Sequence, residues 1–368
     1  MEQNPPLRRG WTTGACATAA AKAAYAALLH GSFPDPVEIT LPRGERVAFA
    51  LAQTDLREGA AMAAVVKDAG DDPDVTHGAV IRATVSLAPP GAGILFRAGP
   101  GVGTVTRPGL PLPVGEPAIN PVPRAMICAA LTEIAADPDA IVEISIDDGE
   151  VLAQRTLNGR LGIVGGLSVL GTTGIVVPYS CAAWIDSIHR GIDVARAMGL
   201  EHVAGATGST SEAAVQALHG LPEVALIEMG DFVGGMLKYL RAHPVRRVTV
   251  AGGVAKMTKL AQGRLDLHSR RGETDFAALA TLAHGAGATD SQAARIAAAN
   301  TVLEAFAVFP LGEAVAQAAW AVAAEALRPG ETELDIVVFD RAGELLARAG
   351  FAPVHGGLVQ VRPRNLRR

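Results

Sequence analysis

The chain of 368 residues is too long for one ordinary hydrophobic core, so we expect two domains. Its 32 Lys and Arg against 37 Asp and Glu give a net charge of −5, which argues against a nucleic-acid partner bound over the whole surface. Three widely separated cysteines without a C-x-x-C pattern indicate a reducing compartment and no structural zinc site: Cys16, Cys128 and Cys181.

The first predicted element is an alanine-rich helix that begins after Thr12 or Thr13 and runs to about His30. The pair Arg8-Arg9 ahead of it is also typical of a twin-arginine export signal, but Lys22 interrupts the apolar core that such a signal needs. No membrane span is expected either, since even the alanine-rich segment near the C-terminus carries three glutamates. We therefore expect a soluble, cytoplasmic protein with no membrane partner.

The first half of the chain is predicted to be an α+β domain over residues 1–157. Five strand-like segments follow the first helix: 37–41, 46–51, 61–66, 79–87 and 94–97. A loop rich in Gly and Pro covers 99–123, and its length indicates a functional loop. A helix over about 124–136 and a hairpin of 141–146 and 151–156 complete the half.

The second half, residues 158–368, is predicted to be a Rossmann-like α/β domain with a mostly parallel sheet. Helical and strand patterns alternate there: helices at 180–198, 211–218 and 232–242, strands at 202–206, 224–228 and 245–251, then three helical patterns before a strand at 334–339. Sheets of this kind bind ligands beyond the carboxyl ends of their strands. Those ends fall at 205–211, 228–231 and 252–259.

A glycine-rich run at 158–178 is the most unusual local pattern, because five of the thirteen residues from Gly162 to Gly174 are glycines. Glycines allow backbone N–H groups to line a concave surface beside a helix N-terminus. The run matches neither G-x-G-x-x-G nor a Walker loop, which argues against NAD and ATP. Its candidate binding residues are Gly165, Gly166, Gly171, Thr172, Thr173 and Gly174. The alternative is a tight, buried turn that serves only close packing.

The segment 67–78 places four carboxylates, a lysine and an imidazole in one connection between strands. Carboxylates close together raise one another's pKa, so Asp72 or His77 is a candidate proton acceptor. The alternative is a solvated acidic turn, because Asp, Gly and Pro are ordinary turn residues. The calcium pattern D-x-[DN]-x-[DN]-G is not matched in register, and we expect no metal there.

Cationic residues in both halves indicate an anionic substrate. Arg107 and Arg124 lie in or beside the Gly- and Pro-rich loop and suit bidentate binding of carboxylates. Lys256 and Lys259 lie one helical turn apart just after a strand end, and His268 follows in a loop. The alternative for all five is an ordinary solvated side chain.

Four blocks, 10–16, 67–78, 115–124 and 161–178, together resemble the cobalt-precorrin-5B (C-1)-methyltransferase family of cobalamin biosynthesis. The likeness extends from about residue 8 to past residue 271 and resumes weakly near the C-terminus. It implies transfer of a methyl group from S-adenosylmethionine to C-1 of a cobalt-containing tetrapyrrole, giving cobalt-precorrin-6A. Cobalt then arrives inside the substrate, so no protein-bound metal is expected, and the carboxylates of the macrocycle suit the cations named above.

The resemblance also implies that the methyl donor lies near the glycine run and the strand-end turns, with Glu228 or Asp231 on its ribose. One departure is the turn after Val250, where the family pattern usually reads Gly-His-x-Gly-Lys and this chain has Gly-Gly-Val-Ala-Lys. The histidine of the family pattern is therefore absent from that turn in this chain.

Several alternatives stay open. A cobalt-free intermediate would be the substrate on the oxygen-dependent route. A dinucleotide-dependent reductase of the same pathway and a non-catalytic tetrapyrrole carrier are the rival functions. A homo-oligomer is possible.

Overall fold

The computed structural model describes residues 6–269 and 272–354. It is a mixed α/β protein with several sheets, and the chain divides into two compact units, Met1–Trp184 and Ile185–Arg368. This division lies later than the predicted one at residue 158. The glycine run belongs to the first unit because its three short strands pair with strands of that unit.

The first unit contains most of its strands before residue 110 and two substantial helices. Its elements are β1 (Gly10–Trp11), α1 (Thr13–His30), β2 (Val37–Thr40), β3 (Arg46–Phe49), β4 (Gln53–Arg57), β5 (Ala60–Val66), β6 (Val80–Leu87), β7 (Ile94–Ala98), β8 (Gly101–Val102), β9 (Thr104–Val105), α2 (Pro121–Thr132), β10 (Ala140–Ile146), α3 (Gly149–Ala153), β11 (Ile163–Val164), β12 (Gly166–Leu167) and β13 (Ile175–Val176). Helix α4 (Cys181–Ala197) begins in this unit.

Helix α1 is the central core helix of the first unit. The Thr12 side chain accepts a hydrogen bond from the N–H of Ala15, and Gly31 ends the helix in the left-handed conformation with φ 77°. Most of its alanines are fully buried against the sheet, which small side chains permit by letting the backbone approach closely. The prediction for this helix is confirmed, and the segment that resembles an export signal is part of a hydrophobic core.

The main sheet of the first unit has the order β4-β5-β6-β10-β7, with β10 and β7 parallel and the other pairs antiparallel. The predicted hairpin over 141–156 is wrong in its second strand. Both edges of β10 are occupied, by β6 and β7, so the sheet has no position for a returning strand. The chain instead turns at Asp148, in the left-handed region at φ 54°, and begins α3.

The second unit alternates helices and strands. Its elements after α4 are β14 (His202–Ala206), α5 (Ser209–His219), β15 (Leu226–Glu228), α6 (Val233–Ala242), β16 (Arg247–Gly253), α7 (Val254–Ala261), α8 (Phe276–Gly285), α9 (Asp290–Ala297), α10 (Val302–Val308), α11 (Gly312–Leu327), β17 (Glu333–Phe339), β18 (Leu345–Arg348) and β19 (Ala352–Pro353). Five described helices, not three, separate β16 from β17.

The sheet of the second unit has the order β15-β14-β16-β17-β18, and β19 also pairs with β17. Strands β15, β14, β16 and β17 are parallel to one another, whereas β18 and β19 run antiparallel to β17. The carboxyl ends of β14, β15 and β16 therefore share one edge of the sheet. Within the described residues, no helix combines the length and apolar character needed to cross a bilayer.

Candidate functional site

A short N-terminal segment, residues 8–14, connects the predicted blocks of the first unit. On one side it contacts the acidic block: the N–H of Trp11 donates to the carbonyl of Asp68 at 2.7 Å, and the N–H of Asp71 donates to the carbonyl of Arg8 at 2.9 Å. On the other side it contacts the glycine run, because β1 pairs with β13. The N-terminal segment therefore joins two blocks that are about a hundred residues apart in sequence.

Two glycines make this close approach possible. A Cβ at Gly10 would lie 2.0 Å from the carbonyl carbon of Ala69, and a Cβ at Gly70 would lie 2.2 Å from the carbonyl oxygen of Arg8. Gly70 also has φ 68°. Backbone contact at these distances excludes any side chain at either position.

Within the acidic block, Lys67 is a buried structural residue. Its Nζ pairs with the Asp74 carboxylate and donates to Thr76 Oγ1 at 2.7 Å, and only 1% of the side chain is exposed. Asp74 Oδ1 in turn accepts the N–H of Thr76 at 2.8 Å. Burial alone would raise the pKa of Asp74, but the Lys67 ammonium and these hydrogen bonds lower it overall. Lys67 thus holds the loop in one shape.

The two predicted proton acceptors lie in this block with different partners. His77 Nδ1 accepts the N–H of Ala69 at 3.1 Å, so the neutral ring carries its hydrogen on Nε2 and presents a donor there. Asp72 Oδ1 accepts the N–H of Tyr179 at 2.8 Å.

The nearby Asp68 is kept ionised. Hydrogen bonds from the Arg8 guanidinium, then from the N–H of Gly70, lower the pKa of Asp68 to about 2. Its Oδ1 lies 3.8 Å from His77 Nδ1, so Asp68 adds negative charge beside the imidazole.

Close packing explains three of the six predicted residues of the glycine run. A Cβ would lie 2.3 Å from the carbonyl oxygen of Gly101 at Gly166, 2.3 Å from Thr12 Oγ1 at Gly171, and 2.6 Å from Leu41 Cδ2 at Gly174. The packing interpretation left open by the sequence therefore accounts for these positions.

The other three residues of the run differ in exposure and bonding. Gly165, at φ 86°, is exposed, and a Cβ there would meet no described atom within 4 Å. Thr172 is exposed. Thr173 Oγ1 donates to the carbonyl of Ile175 at 3.1 Å. Gly165 and Thr172 are thus the predicted residues of this run that face open space.

The two predicted arginines brace loops of the first unit. Arg124 donates from Nη2 to Glu116 Oε2 at 2.9 Å and from Nε to the carbonyl of Ile119 at 2.8 Å. Arg107 donates from Nη1 to the carbonyl of Arg160 at 2.7 Å. Both guanidinium groups have partners from their own chain, and for Arg124 that partner is a carboxylate.

In the second unit, three predicted residues lie around the backbone of Leu267: Asp231, Lys256 and Lys259. Lys256 and Lys259 each donate to this oxygen at 3.3 Å, and Lys256 also pairs with the Asp231 carboxylate. The N–H of Leu267 donates to the carbonyl of Asp231 at 2.9 Å. Burial, then the charge of Lys256, lowers the pKa of Lys259. We call Asp231, Lys256 and Lys259 the sheet-edge cluster.

The remaining predicted residues of the second unit are exposed. Glu228 is the last residue of β15, and His268 follows Leu267, with its N–H donating to Asp266 Oδ1 at 3.1 Å. The strand-end turns adjoin one another, because the N–H of Gly230 donates to the carbonyl of Ala206 at 3.1 Å. Helices α5 and α7 begin at this edge, and their first N–H groups, which have no partner within the helix itself, donate no hydrogen bond to the side chain of a capping residue.

Sequence reasoning missed Tyr179. The structure gives it φ 55°, in the left-handed region, with its side chain 67% exposed. An aromatic residue between Pro178 and Ser180, directly before a helix, was the available signal. Among the described residues, no group of three or more His, Cys, Asp or Glu side chains is placed to hold a metal ion.

Known proteins match this chain over most of its length. The CbiD family model matches residues 1–178, and the model of the CbiD C-terminal domain matches 266–350. Proteins named cobalt-precorrin-5B C(1)-methyltransferase are 64% identical in Bradyrhizobium sp. (94% of each chain), 63% in Agrobacterium fabrum (95% of this chain, 94% of the relative) and 61% in Methylorubrum extorquens (93% and 97%).

A solved structure is also similar in sequence. The crystal structure of a cobalamin biosynthesis protein from Archaeoglobus fulgidus is 28% identical, covers 72% of this chain and 83% of that one, and has a TM-score of 0.40. The family assignment depends on the sequence relatives, which match nearly the whole chain at about twice that identity. This chain therefore belongs to the CbiD family, and the three relatives above carry the name cobalt-precorrin-5B C(1)-methyltransferase.

Proposed function

We propose that this protein transfers the methyl group of S-adenosylmethionine to C-1 of cobalt-precorrin-5B, giving cobalt-precorrin-6A in cobalamin biosynthesis. The observation that carries the proposal is the identity of 57% to 64% with proteins of that name over at least 93% of the chain. Three cysteines without disulfide partners fit a cytoplasmic location.

We propose that the second unit is Rossmann-like and forms the methyl-donor side. Glu228 is the first candidate for the ribose hydroxyls, because it is exposed at the carboxyl end of the parallel strand β15, and Asp231, which pairs with Lys256, is the second. Gly208 and Gly253 precede α5 and α7, and a Cβ at either would meet no described atom within 4 Å, which leaves room for a ligand. Gly165 and Thr172 remain candidates in the first unit.

Glu228 and the turns at Gly208 and Gly253 would hold S-adenosylmethionine, which would supply an electrophilic methyl group: a C–C bond to C-1 would form as the methyl C–S bond breaks and its electron pair stays on sulfur. The residues of the chain act mainly by orientation, since the chemistry requires little covalent help. The cobalt belongs to the substrate.

The side chains that would hold the substrate differ in availability. Lys256 is more exposed than Lys259, and His268 is exposed in the loop that follows α7. Lys256 and His268 can therefore bind substrate carboxylates. Arg107 and Arg124 contribute through the loops that they brace. Of the two predicted proton acceptors, His77 presents a hydrogen on Nε2, so it suits donation to a substrate carboxylate. Asp72 is therefore the proposed acceptor of a ring proton.

Calorimetric titration with S-adenosylhomocysteine tests the proposal, with the protein alone and with cobyrinic acid, a cobalt corrinoid with free side-chain carboxylates. We expect saturable one-site binding, and roughly tenfold weaker binding for Glu228→Gln, because a charge-assisted hydrogen bond is lost. Asp231→Asn is the matched control and should bind like the wild type.

The rival functions give different results. A carrier would bind cobyrinic acid but not S-adenosylhomocysteine under either condition, and a reductase would bind a nicotinamide dinucleotide instead. Mass spectrometry of cobalt-precorrin-5B incubated with the donor provides the direct measurement, and an unchanged mass with the wild-type protein would overturn the proposed reaction.

A further inference from the structure

Tyr179 has a backbone conformation that its residue type does not favour. At φ 55° it lies in the left-handed region, which glycine and asparagine adopt at lower cost than a bulky residue. Its side chain is 67% exposed, the largest exposed fraction of any large apolar side chain among the described residues. No burial offsets the strain, so the ring does not stabilise the fold in compensation.

Hydrogen bonds to a rigid frame hold this conformation. The N–H of Tyr179 donates to Asp72 Oδ1 at 2.8 Å across 107 residues of sequence. The neighbouring Asp71 is attached to the N-terminal segment twice, because its N–H donates to the carbonyl of Arg8 and its Oδ2 accepts the N–H of Arg8 at 2.6 Å. Strand β13, which pairs with β1, ends three residues before Tyr179. Both anchors of the tyrosine therefore lead to the same N-terminal segment.

The surrounding sequence suits a large apolar ligand. Residues 161–185 contain no Asp, Glu, Lys or Arg. Four further large apolar side chains of this stretch are exposed: Val164, Leu170, Val177 and Trp184. An uncharged segment with several exposed apolar side chains suits contact with an apolar ligand.

We propose that the ring of Tyr179 contacts a face of the tetrapyrrole macrocycle, and that Asp72 is the positioning residue that holds the tyrosine backbone in place. The identity of the ligand rests on the proposed function. A macrocycle presents apolar faces and carries its carboxylates at the rim, so an uncharged segment with a rigid, outward-facing aromatic ring complements its face. If no ligand contacted the ring, Asn would serve equally well at this position, because it also adopts the left-handed conformation.

Variants of Tyr179 separate binding from folding. Tyr179→Asn tolerates the left-handed conformation and removes the ring, so we expect an unchanged or higher Tm, unchanged affinity for S-adenosylhomocysteine, and roughly three- to tenfold weaker binding of cobyrinic acid. Tyr179→Phe keeps the ring and should bind cobyrinic acid like the wild type. Absorbance titration with cobyrinic acid measures both affinities.

Two variants of Asp72 separate positioning from proton transfer. Asp72→Asn keeps an Oδ1 that accepts the tyrosine N–H, whereas Asp72→Ala does not. If Asp72 positions Tyr179, only the alanine variant loses affinity for cobyrinic acid, and asparagine rescues it. A fall in kcat for Asp72→Asn with unchanged affinity would report its separate role as proton acceptor.

The inference and the proposed function fail in different ways. Wild-type affinity for cobyrinic acid in both Tyr179→Asn and Asp72→Ala would overturn the inference and leave the methyltransferase intact. A wild-type protein that binds cobyrinic acid but neither binds S-adenosylhomocysteine nor transfers a methyl group would overturn the proposed reaction, while the Tyr179 variants would still test the macrocycle contact.

Discussion

Each unit of this protein contains a cluster of lysine and carboxylate, and the two differ in their access to solvent. In the first unit Lys67 is 1% exposed and has Asp74 and Thr76 as partners. In the sheet-edge cluster the side chain of Lys256 is 33% exposed and that of Asp231 is 20% exposed. The same residue types therefore brace a loop where they are buried, and keep exchangeable partners where water or a ligand can reach them.

The largest expected effect is that of breaking the buried cluster. Lys67→Met leaves the Asp74 carboxylate in a largely buried position without its counter-charge, so the free energy of unfolding should fall by about 3 kcal/mol. Urea denaturation measures the change. The exposed ion pair of Arg46 with Glu38 supplies the control, since Arg46→Met should cost less than about 1 kcal/mol. Equal midpoints for Lys67→Met and the wild type would contradict the structural role of Lys67.

A second buried polar cluster should make the stability of the second unit depend on pH. Asp335 is fully buried and accepts Arg348 Nε at 3.0 Å, and its Oδ2 lies 3.1 Å from His219 Nε2. His202 Nε2 lies 2.9 Å from the buried Thr249 Oγ1. Burial, then the neighbouring His219, lowers the pKa of His202 to about 4, and burial also lowers the pKa of His219.

This depressed pKa sets the sign of the pH dependence. Because the unfolded histidine has a pKa of about 6.5, the unfolded state binds more protons than the folded state between that pH and about 4. The free energy of unfolding should therefore decrease as the pH is lowered from about 6.5 to about 4, and His202 should contribute at most about 3 kcal/mol to this decrease. Denaturation at several pH values measures the slope, which His202→Gln should flatten. An unchanged slope in that variant would assign the pH dependence to other groups.

The smallest effect on stability is expected at the sheet-edge cluster. Lys256→Met should change the free energy of unfolding by less than about 1 kcal/mol, because the ion pair with Asp231 is partly exposed. It should nevertheless weaken binding of cobyrinic acid and reduce the dependence of that binding on salt, since a cation facing substrate carboxylates is lost. If Lys256→Met lost much stability and still bound cobyrinic acid like the wild type, the sheet-edge cluster would be structural, as the Lys67 cluster is, and this prediction would be wrong.

Local patterns predicted many elements well. Helix α1 has both its cap and its terminal glycine in sequence, and the strands of the second unit are short apolar segments between turn residues. Strand β4 was missed because Gln53–Arg57 carries only one apolar residue and no alternation. The false hairpin at 141–156 has turn residues at Asp147-Asp148-Gly149, but strand pairing depends on a free sheet edge, which no local pattern reports.

Sequence alone determined the helix caps, the order of most strands, the blocks that resemble the family and the residue types at each candidate position. Only the tertiary structure decided that Gly166 and Gly171 serve close packing, that Arg124 binds Glu116, and that Asp72 holds Tyr179. The physical reason is distance along the chain. Caps and periodicities act over a few residues, whereas the partners of Gly171 and Asp72 lie more than a hundred residues away and become neighbours only when the N-terminal segment crosses between them.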